Sequence, residues 1–184
     1  MNFQIRKAAR CLEAGGVIAY PTEGVYGIGC LPQYTDAVER IVTIKGRSAS
    51  AGLILIAAEV ELLTGWVAPS AAELKNLLRR MEHPTTWIVS AQPGLDPLLT
   101  GGRDTLAVRI TEHPIAAGLS AAVSGPLVST SANKSGKAAA MNAHQARHKL
   151  GRTLDYVISG PLGSAAGPSE IRVAADGRVV RPAS

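Results

Sequence analysis

Two short stretches of this 184-residue chain concentrate groups capable of chemistry. Lys45-Gly46-Arg47 places two cations two residues apart, and Ser129-Thr130-Ser131-Ala132-Asn133-Lys134-Ser135-Gly136 is a run of small hydroxyls and amides. Fixed positive charge together with short hydrogen-bonding groups is what a polyanion requires. Taken singly, each stretch also has a plain structural reading. The cations can complement the dipole of a helix ending at Lys45, worth from a few tenths to about 1 kcal/mol, and Ser and Asn cap backbone groups at strand-to-helix turns. Position favours chemistry. Pro21-Thr22-Glu23-Gly24 and the serine run each follow an apolar strand directly, and loops at the carboxyl ends of strands line the ligand crevice of α/β sheets. Arg109 lies inside the apolar run 106–110, so it must be paired, exposed on an edge, or bound to a ligand anion.

The elements that must position these groups are legible from periodicity. Ile5, Ala8, Ala9 and Leu12 recur at helical spacing before Gly15-Gly16. Val17-Ile18-Ala19-Tyr20 reads as a buried strand stopped by Pro21, followed by a turn-rich loop carrying Gly24, Gly27 and Gly29. Thr35 is the expected N-cap of a helix that buries Ala37, Val38, Ile41 and Val42 and runs out at Lys45-Gly46. Leu53-Ile54-Leu55-Ile56 suits a strand covered on both faces. Pro69-Ser70-Ala71-Ala72-Glu73 is a capping box opening a helix through Leu74, Leu77 and Leu78. Residues 86–89 and 106–110 are β-rich, His113-Pro114 starts a helix, and Pro126-Leu127-Val128 is a strand leading into the serine loop. A helix over 142–150, a strand at 156–158 and a hairpin around Asp176-Gly177 complete the chain. Strands and helices alternate without a repeat or long linker, which predicts one α/β domain over 1–184 with a mixed, mostly covered sheet. Residues 160–168 read as a surface loop able to close over a site.

Composition narrows the class. Hydrophobic residues are 46% and charged residues 18%, which excludes a disordered chain. Aromatics are 4%, too few for a stacking platform of the kind that binds single-stranded nucleic acid. A net charge of +5 suits either an anionic partner or simple solubility. Cys11 and Cys30 have neither disulfide-framework nor zinc-ribbon spacing. The N-terminal residues lack an apolar signal segment and no run is long enough to span a bilayer, so a cytoplasmic, membrane-free protein is expected. No phosphate-binding G-x-x-x-x-G-K-[ST], dinucleotide G-x-G-x-x-G or nucleophile elbow is present. His144 and His148, four apart on a helix, read as a surface pair and not as metal ligands.

The segments Tyr20-Pro21-Thr22-Glu23-Gly24-Val25-Tyr26-Gly27-Ile28-Gly29-Cys30, Lys45-Gly46-Arg47 and Ser129 onward resemble the YrdC/Sua5 family in order and spacing. So do the stretches 106–114 and 168–172. The resemblance spans about residues 8–182, and with no further domain expected after it the chain resembles the short bacterial, TsaC-type form. It implies a YrdC-like twisted mixed sheet flanked by helices around a positively charged concave surface. It implies a nucleotidyltransferase, a threonylcarbamoyl-AMP synthase: L-threonine, bicarbonate and ATP, with Mg²⁺, give L-threonylcarbamoyladenylate and pyrophosphate for t6A modification of tRNA at position 37. TsaD-, TsaB- and TsaE-like proteins are the implied partners. By the same resemblance Lys45 and Arg47 are catalytic and neutralise the triphosphate. Arg181 contacts the nucleotide, Arg109 holds the threonine carboxylate, Ser129, Ser131, Asn133 and Ser169 donate to substrate oxygens, and Thr22 shapes the threonine end. The chain departs from the family pattern at Gly24 (commonly Thr), Ser48 (commonly Pro), Ile56 (His in longer members), residues 81–86 and Glu170. The alternative is a non-catalytic module that binds tRNA or rRNA through its positive charge. A carbamoyltransferase of the hydrogenase-maturation type ranks below both, because its accessory modules are absent from the chain.

Overall fold

Asn2 opens helix α1 (Phe3–Glu13) by accepting a hydrogen bond from the Gln4 amide, and the helix buries Ile5, Ala8, Ala9 and Leu12 as the spacing predicts. Strands β1 (Ile18–Pro21) and β2 (Tyr26–Gly29) pair antiparallel. Residues 26–29 are therefore a buried strand, not part of the expected loop. Tyr26 and Ile28 enter the core on one face while the glycines face the other, and a Cβ at Gly29 would overlap the Val128 carbonyl oxygen. The glycine signal here marks close approach of neighbouring backbone and not a turn.

Helix α2 (Thr35–Lys45) starts one residue earlier than expected: Tyr34 is its N-cap and makes no side-chain capping bond. Gly46 ends it in the left-handed region at φ 57°, where a side chain would be strained. Strand β3 (Ile54–Ala57) and helix α3 (Ala71–Leu77) follow, the helix opened by the predicted Ser70–Glu73 capping box. Glu73 also accepts from the amide and hydroxyl of Ser90, which ties the box to the end of β4 (Thr85–Ser90). The remaining elements are α4 (Pro97–Thr100), β5 (Thr105–Ile110), α5 (Pro114–Ala122), β6 (Leu127–Ser131), α6 (Ala143–Leu150), β7 (Tyr156–Val157) and the hairpin of β8 (Glu170–Val173) with β9 (Val179–Arg181).

The computed structural model describes residues 2–165 and 167–183. Among these, nine strands form one mixed sheet in the order β7-β1-β2-β6-β3-β5-β4-β8-β9, with β1–β7, β3–β5 and β4–β8 parallel and the other pairs antiparallel. On one face Ala19, Tyr26, Leu55, Val108 and Val128 pack with Val38 and Ile41 of α2 and Ala146 of α6. On the other face Ile18, Tyr20, Ile56 and Leu127 pack under Ile5, Leu12, Ala116 and Leu119 of α1 and α5. These two helices cover only part of that second face. Further along it Gly27, Ile54, Ile88, Ala107 and Ser129 line a cavity, so the sheet is less completely covered than the alternation of elements suggested. No helix of the described residues is long and apolar enough to cross a membrane.

Candidate active site

The uncovered face is the floor of a cavity of about 350 Å³. Strand alternation supplies its residues: Thr105, Ala107 and Arg109 from β5, Ser129 and Ser131 from β6, and Gly27 from β2. Ser129 lies opposite Ile54 of β3 and Ser131 opposite Gly27. The expectation of two polar loops meeting at strand ends is thus corrected, because the first residues of the serine run are strand residues whose period of two turns their hydroxyls onto the sheet's open face. Small residues at Gly27, Ala107 and Ser129 keep that floor low enough to hold a ligand. The rim is built by Thr22 beyond β1, Arg47 beyond α2, the 51–53 turn, Arg103, and Ser169 with Arg181 from the β8–β9 hairpin region.

Seven of the nine residues expected at the site therefore share one cavity: Thr22, Arg47, Arg109, Ser129, Ser131, Ser169 and Arg181. Lys45 and Asn133 stand behind its wall. The reading of Lys45 as a solvated helix end fails, because the residue is only 4% exposed. Its Nζ donates to the Ser131 carbonyl at 2.6 Å, to Ser131 Oγ at 3.1 Å and to Asn133 Oδ1 at 2.8 Å, which occupies all three ammonium protons. Burial, and then the charge of Arg47, pull the Lys45 pKa down to about 8. Asn133 Nδ2 in turn donates to the carbonyls of Lys134 and Lys137 and folds the turn after β6.

Four arginines line the cavity, and none of its described lining residues is acidic. Arg47 donates to the Ala51 carbonyl at 3.3 Å, and Arg103 donates to Ser50 O at 2.9 Å and Ala51 O at 3.3 Å. Arg181 donates to Ser169 O at 2.7 Å, while the Ser169 hydroxyl is hydrogen-bonded to that of Thr86 at 2.7 Å. Burial, followed by repulsion from Arg109 and Arg47, lowers the pKa of Arg181. Like charges held this close favour an anion between them. Arg103 has no counterpart among the sequence expectations; it sits between Gly101-Gly102 and Asp104, a context that reads as an ordinary solvated turn. Arg109 is 9% exposed, which rules out an exposed edge position, and its Nη2 lies 3.3 Å from Glu23 Oε2. Thr22 Oγ1 donates to the Val25 carbonyl at 2.7 Å, fixing the turn that carries Glu23.

Residues 160–168, expected to form a cover, run beside the site as a strap pinned to this turn; Ala166 within it lies outside the described residues. The amides of Gly163 and Ala165 donate to the carbonyls of Thr22 and Glu23, each at 3.1 Å, and the Tyr26 hydroxyl donates to Gly160 O at 2.8 Å. Gly24 permits the contact, since a Cβ there would overlap the Gly167 carbonyl oxygen. His144 and His148 are exposed, and the described residues contain no group of three or more His, Cys, Asp or Glu able to hold a metal.

Comparison with known proteins agrees with this architecture. The Sua5/YciO/YrdC family model, described as telomere recombination, matches residues 10–183. A threonylcarbamoyl-AMP synthase of Nitrosococcus oceani is 48% identical over 178 residues, covering 96% of this chain and 95% of the relative. The crystal structure of P. abyssi Sua5 complexed with L-threonine superposes with a TM-score of 0.89 at 31% identity, over 97% of this chain and 54% of that one. This chain thus spans about half the length of the P. abyssi protein. E. coli YciO superposes with a TM-score of 0.84 at 26% identity, over 97% of this chain and 88% of that one. With a family match over nearly its whole length, the chain belongs to the Sua5/YciO/YrdC family.

Proposed function

We propose that this chain is a threonylcarbamoyl-AMP synthase, a nucleotidyltransferase that condenses L-threonine, bicarbonate and ATP for tRNA modification. The observation that carries the chemistry is the cavity lined by Arg47, Arg103, Arg109 and Arg181 with no acidic residue among its described lining. Relatives named for this activity at 42–48% identity over nearly the full chain support the same reading.

The reaction brings anions together. The threonine amine adds to bicarbonate with loss of water to give a carbamate, and a carbamate oxygen then attacks the α-phosphorus of ATP as pyrophosphate leaves. An anionic nucleophile meets a polyanion, and negative charge builds on the phosphoryl and leaving pyrophosphate oxygens, so guanidinium groups fixed before the substrates arrive stabilise the transition state with little reorganisation. Arg47, Arg103 and Arg181 serve the triphosphate, and Arg109 takes the threonine carboxylate. Thr22 bounds the threonine end. Ser129 and Ser169 donate to substrate oxygens from the floor and rim, while Ser131, whose hydroxyl donates to Asn133 Oδ1 at 2.6 Å, fixes the wall beside them. Lys45 acts through Ser131 and Asn133, holding the wall against which the phosphates rest. Magnesium would enter with the nucleotide as substrate; the described lining offers no carboxylate, so phosphate oxygens and water would supply its coordination. Carbamates and mixed anhydrides hydrolyse readily, which suits a recessed site and direct transfer of the product to a TsaD-like enzyme with TsaB- and TsaE-like partners.

The test is pyrophosphate release from ATP with magnesium and bicarbonate, with and without L-threonine, together with mass detection of the adenylate. Release that depends on threonine is the expected result; threonine-independent release, or none, overturns the reading. Arg47→Ala is expected to lower kcat/KM for ATP by roughly a hundredfold or more, with unchanged circular dichroism.

A further inference from the structure

Glu23 is the acidic partner that the cavity itself lacks. Glu23 lines a second, open trough of about 1150 Å³ together with Gly163 and Ala165 of the strap, whereas Arg109 lines the arginine-rich cavity. The Glu23–Arg109 pair is therefore a partition between the two spaces. Glu23 Oε1 accepts a 2.5 Å hydrogen bond from the Thr111 hydroxyl, and Oε2 faces Arg109 Nη2 at 3.3 Å without a well-aligned bond. Arg109 Nε is buried and has no hydrogen-bond partner among the described residues. Burial alone would raise the Glu23 pKa, but the Arg109 charge and the Thr111 hydroxyl hold it below the ordinary carboxylate range, so the group is an anion at neutral pH. Its backbone is fixed by the strap through the Ala165 amide. The other lining arginines lean on carbonyl oxygens and have no carboxylate partner among the described residues.

We infer that Glu23 is a positioning and selectivity residue for the amino-acid substrate, acting through Arg109. A carboxylate behind the guanidinium fixes the direction of its fork and offsets its charge. The cavity thereby acquires two unlike ends. One holds three uncompensated arginines suited to a triphosphate; the other holds a balanced ion pair whose free N–H groups suit a single small carboxylate. Without Glu23 the Arg109 guanidinium becomes a fourth uncompensated cation, free to turn toward phosphate, and the amino acid loses a preorganised partner. Arg109 Nε, a donor with no partner among the described residues, is the group that a substrate carboxylate can satisfy.

This inference rests on the proposed function, and the experiment separates the two. Threonine binding is measured calorimetrically alongside threonine-dependent pyrophosphate release, for wild type, Glu23→Gln and Thr111→Val. The expected result for Glu23→Gln is a roughly ten- to hundredfold rise in threonine Kd and KM, with KM for ATP changed less than about threefold and stronger inhibition by inorganic triphosphate. Thr111→Val keeps the charge and removes only the hydroxyl that holds it, so threonine KM shifts in the same direction by a smaller factor. If folded Glu23→Gln binds threonine like wild type, or if KM for threonine and ATP rise in parallel, the inference is overturned while the proposed function stands. If Glu23→Gln does not fold, Thr111→Val decides by the same split. If wild type neither binds threonine nor releases pyrophosphate in its presence, the function and the inference fall together.

Discussion

Lys45 carries the sharpest energetic conflict of any single residue. An ammonium under a strand end is desolvated, yet three oxygen acceptors surround it, so removing it would withdraw a charged donor from Ser131 and Asn133 while relieving a buried charge. The consequence for pH follows from linkage. The folded state releases this proton near pH 8, whereas the unfolded chain keeps it to its ordinary 10.5. Between those values the unfolded state binds more protons, so wild-type stability rises relative to a variant lacking the group as pH increases, and that increment is lost as pH falls through 8. Lys45→Met should therefore lose ground against wild type by about 1–2 kcal/mol between neutral pH and pH of about 10, measured by urea unfolding at each pH. At this scale the sequence named the residues well and their surroundings poorly. Lys45 and Arg47 were visible as cations, but nothing in a tripeptide says that one is buried against a serine 86 residues further along the chain and the other lies on the rim.

At the scale of elements, the capping box of α3 was readable because it is local, whereas the Thr35 cap expected for α2 gave way to Tyr34, which makes no side-chain capping bond. The Ser70–Glu73 box occurs where the pattern S-x-x-E places it, and Ser90 adds a long-range anchor to the same carboxylate. Burial would raise the Glu73 pKa, but hydrogen bonds from Ser70 and Ser90 hold it below its usual value. Ser70→Ala is expected to cost about 1 kcal/mol of stability with turnover unaffected, as checked by thermal unfolding and the pyrophosphate assay. The strap makes a second prediction. Gly24→Ala places a Cβ against the Gly167 carbonyl and must lift the strap from the Thr22–Val25 turn. Proteolytic cleavage within 160–168 should then accelerate at least several-fold, and threonine KM should rise with it; unchanged cleavage would mean that the turn, not the strap, yields. Residues 26–29 show why the elements were only partly legible. Glycines that mark turns in most contexts mark here a strand pressed against its neighbours, and only the neighbouring backbone distinguishes the two.

For the whole molecule, the decisive arrangement is unequal coverage of one sheet. Helices α2 and α6 lie over one face, while α1 and α5 cover only part of the other, so the open remainder becomes the floor of the site. The buried strands hold that floor flat beneath four arginines. Leu55→Ala in β3, whose side chain is fully buried on the opposite face, is expected to cost about 2–5 kcal/mol by denaturant unfolding while leaving substrate KM values near wild type. The sequence by itself determined the α/β alternation and, through the order and spacing of its motifs, the family to which the chain belongs. These rest on local periodicity and on motif spacing, which a chain carries wherever it folds. Only the tertiary structure decided that Ser129 and Ser131 belong to a strand, that Arg103 joins the rim, that Lys45 braces the wall, and that Glu23 stands behind Arg109. Those facts depend on strand register and on which face the helices leave open, and both are set by contacts between residues far apart in the chain.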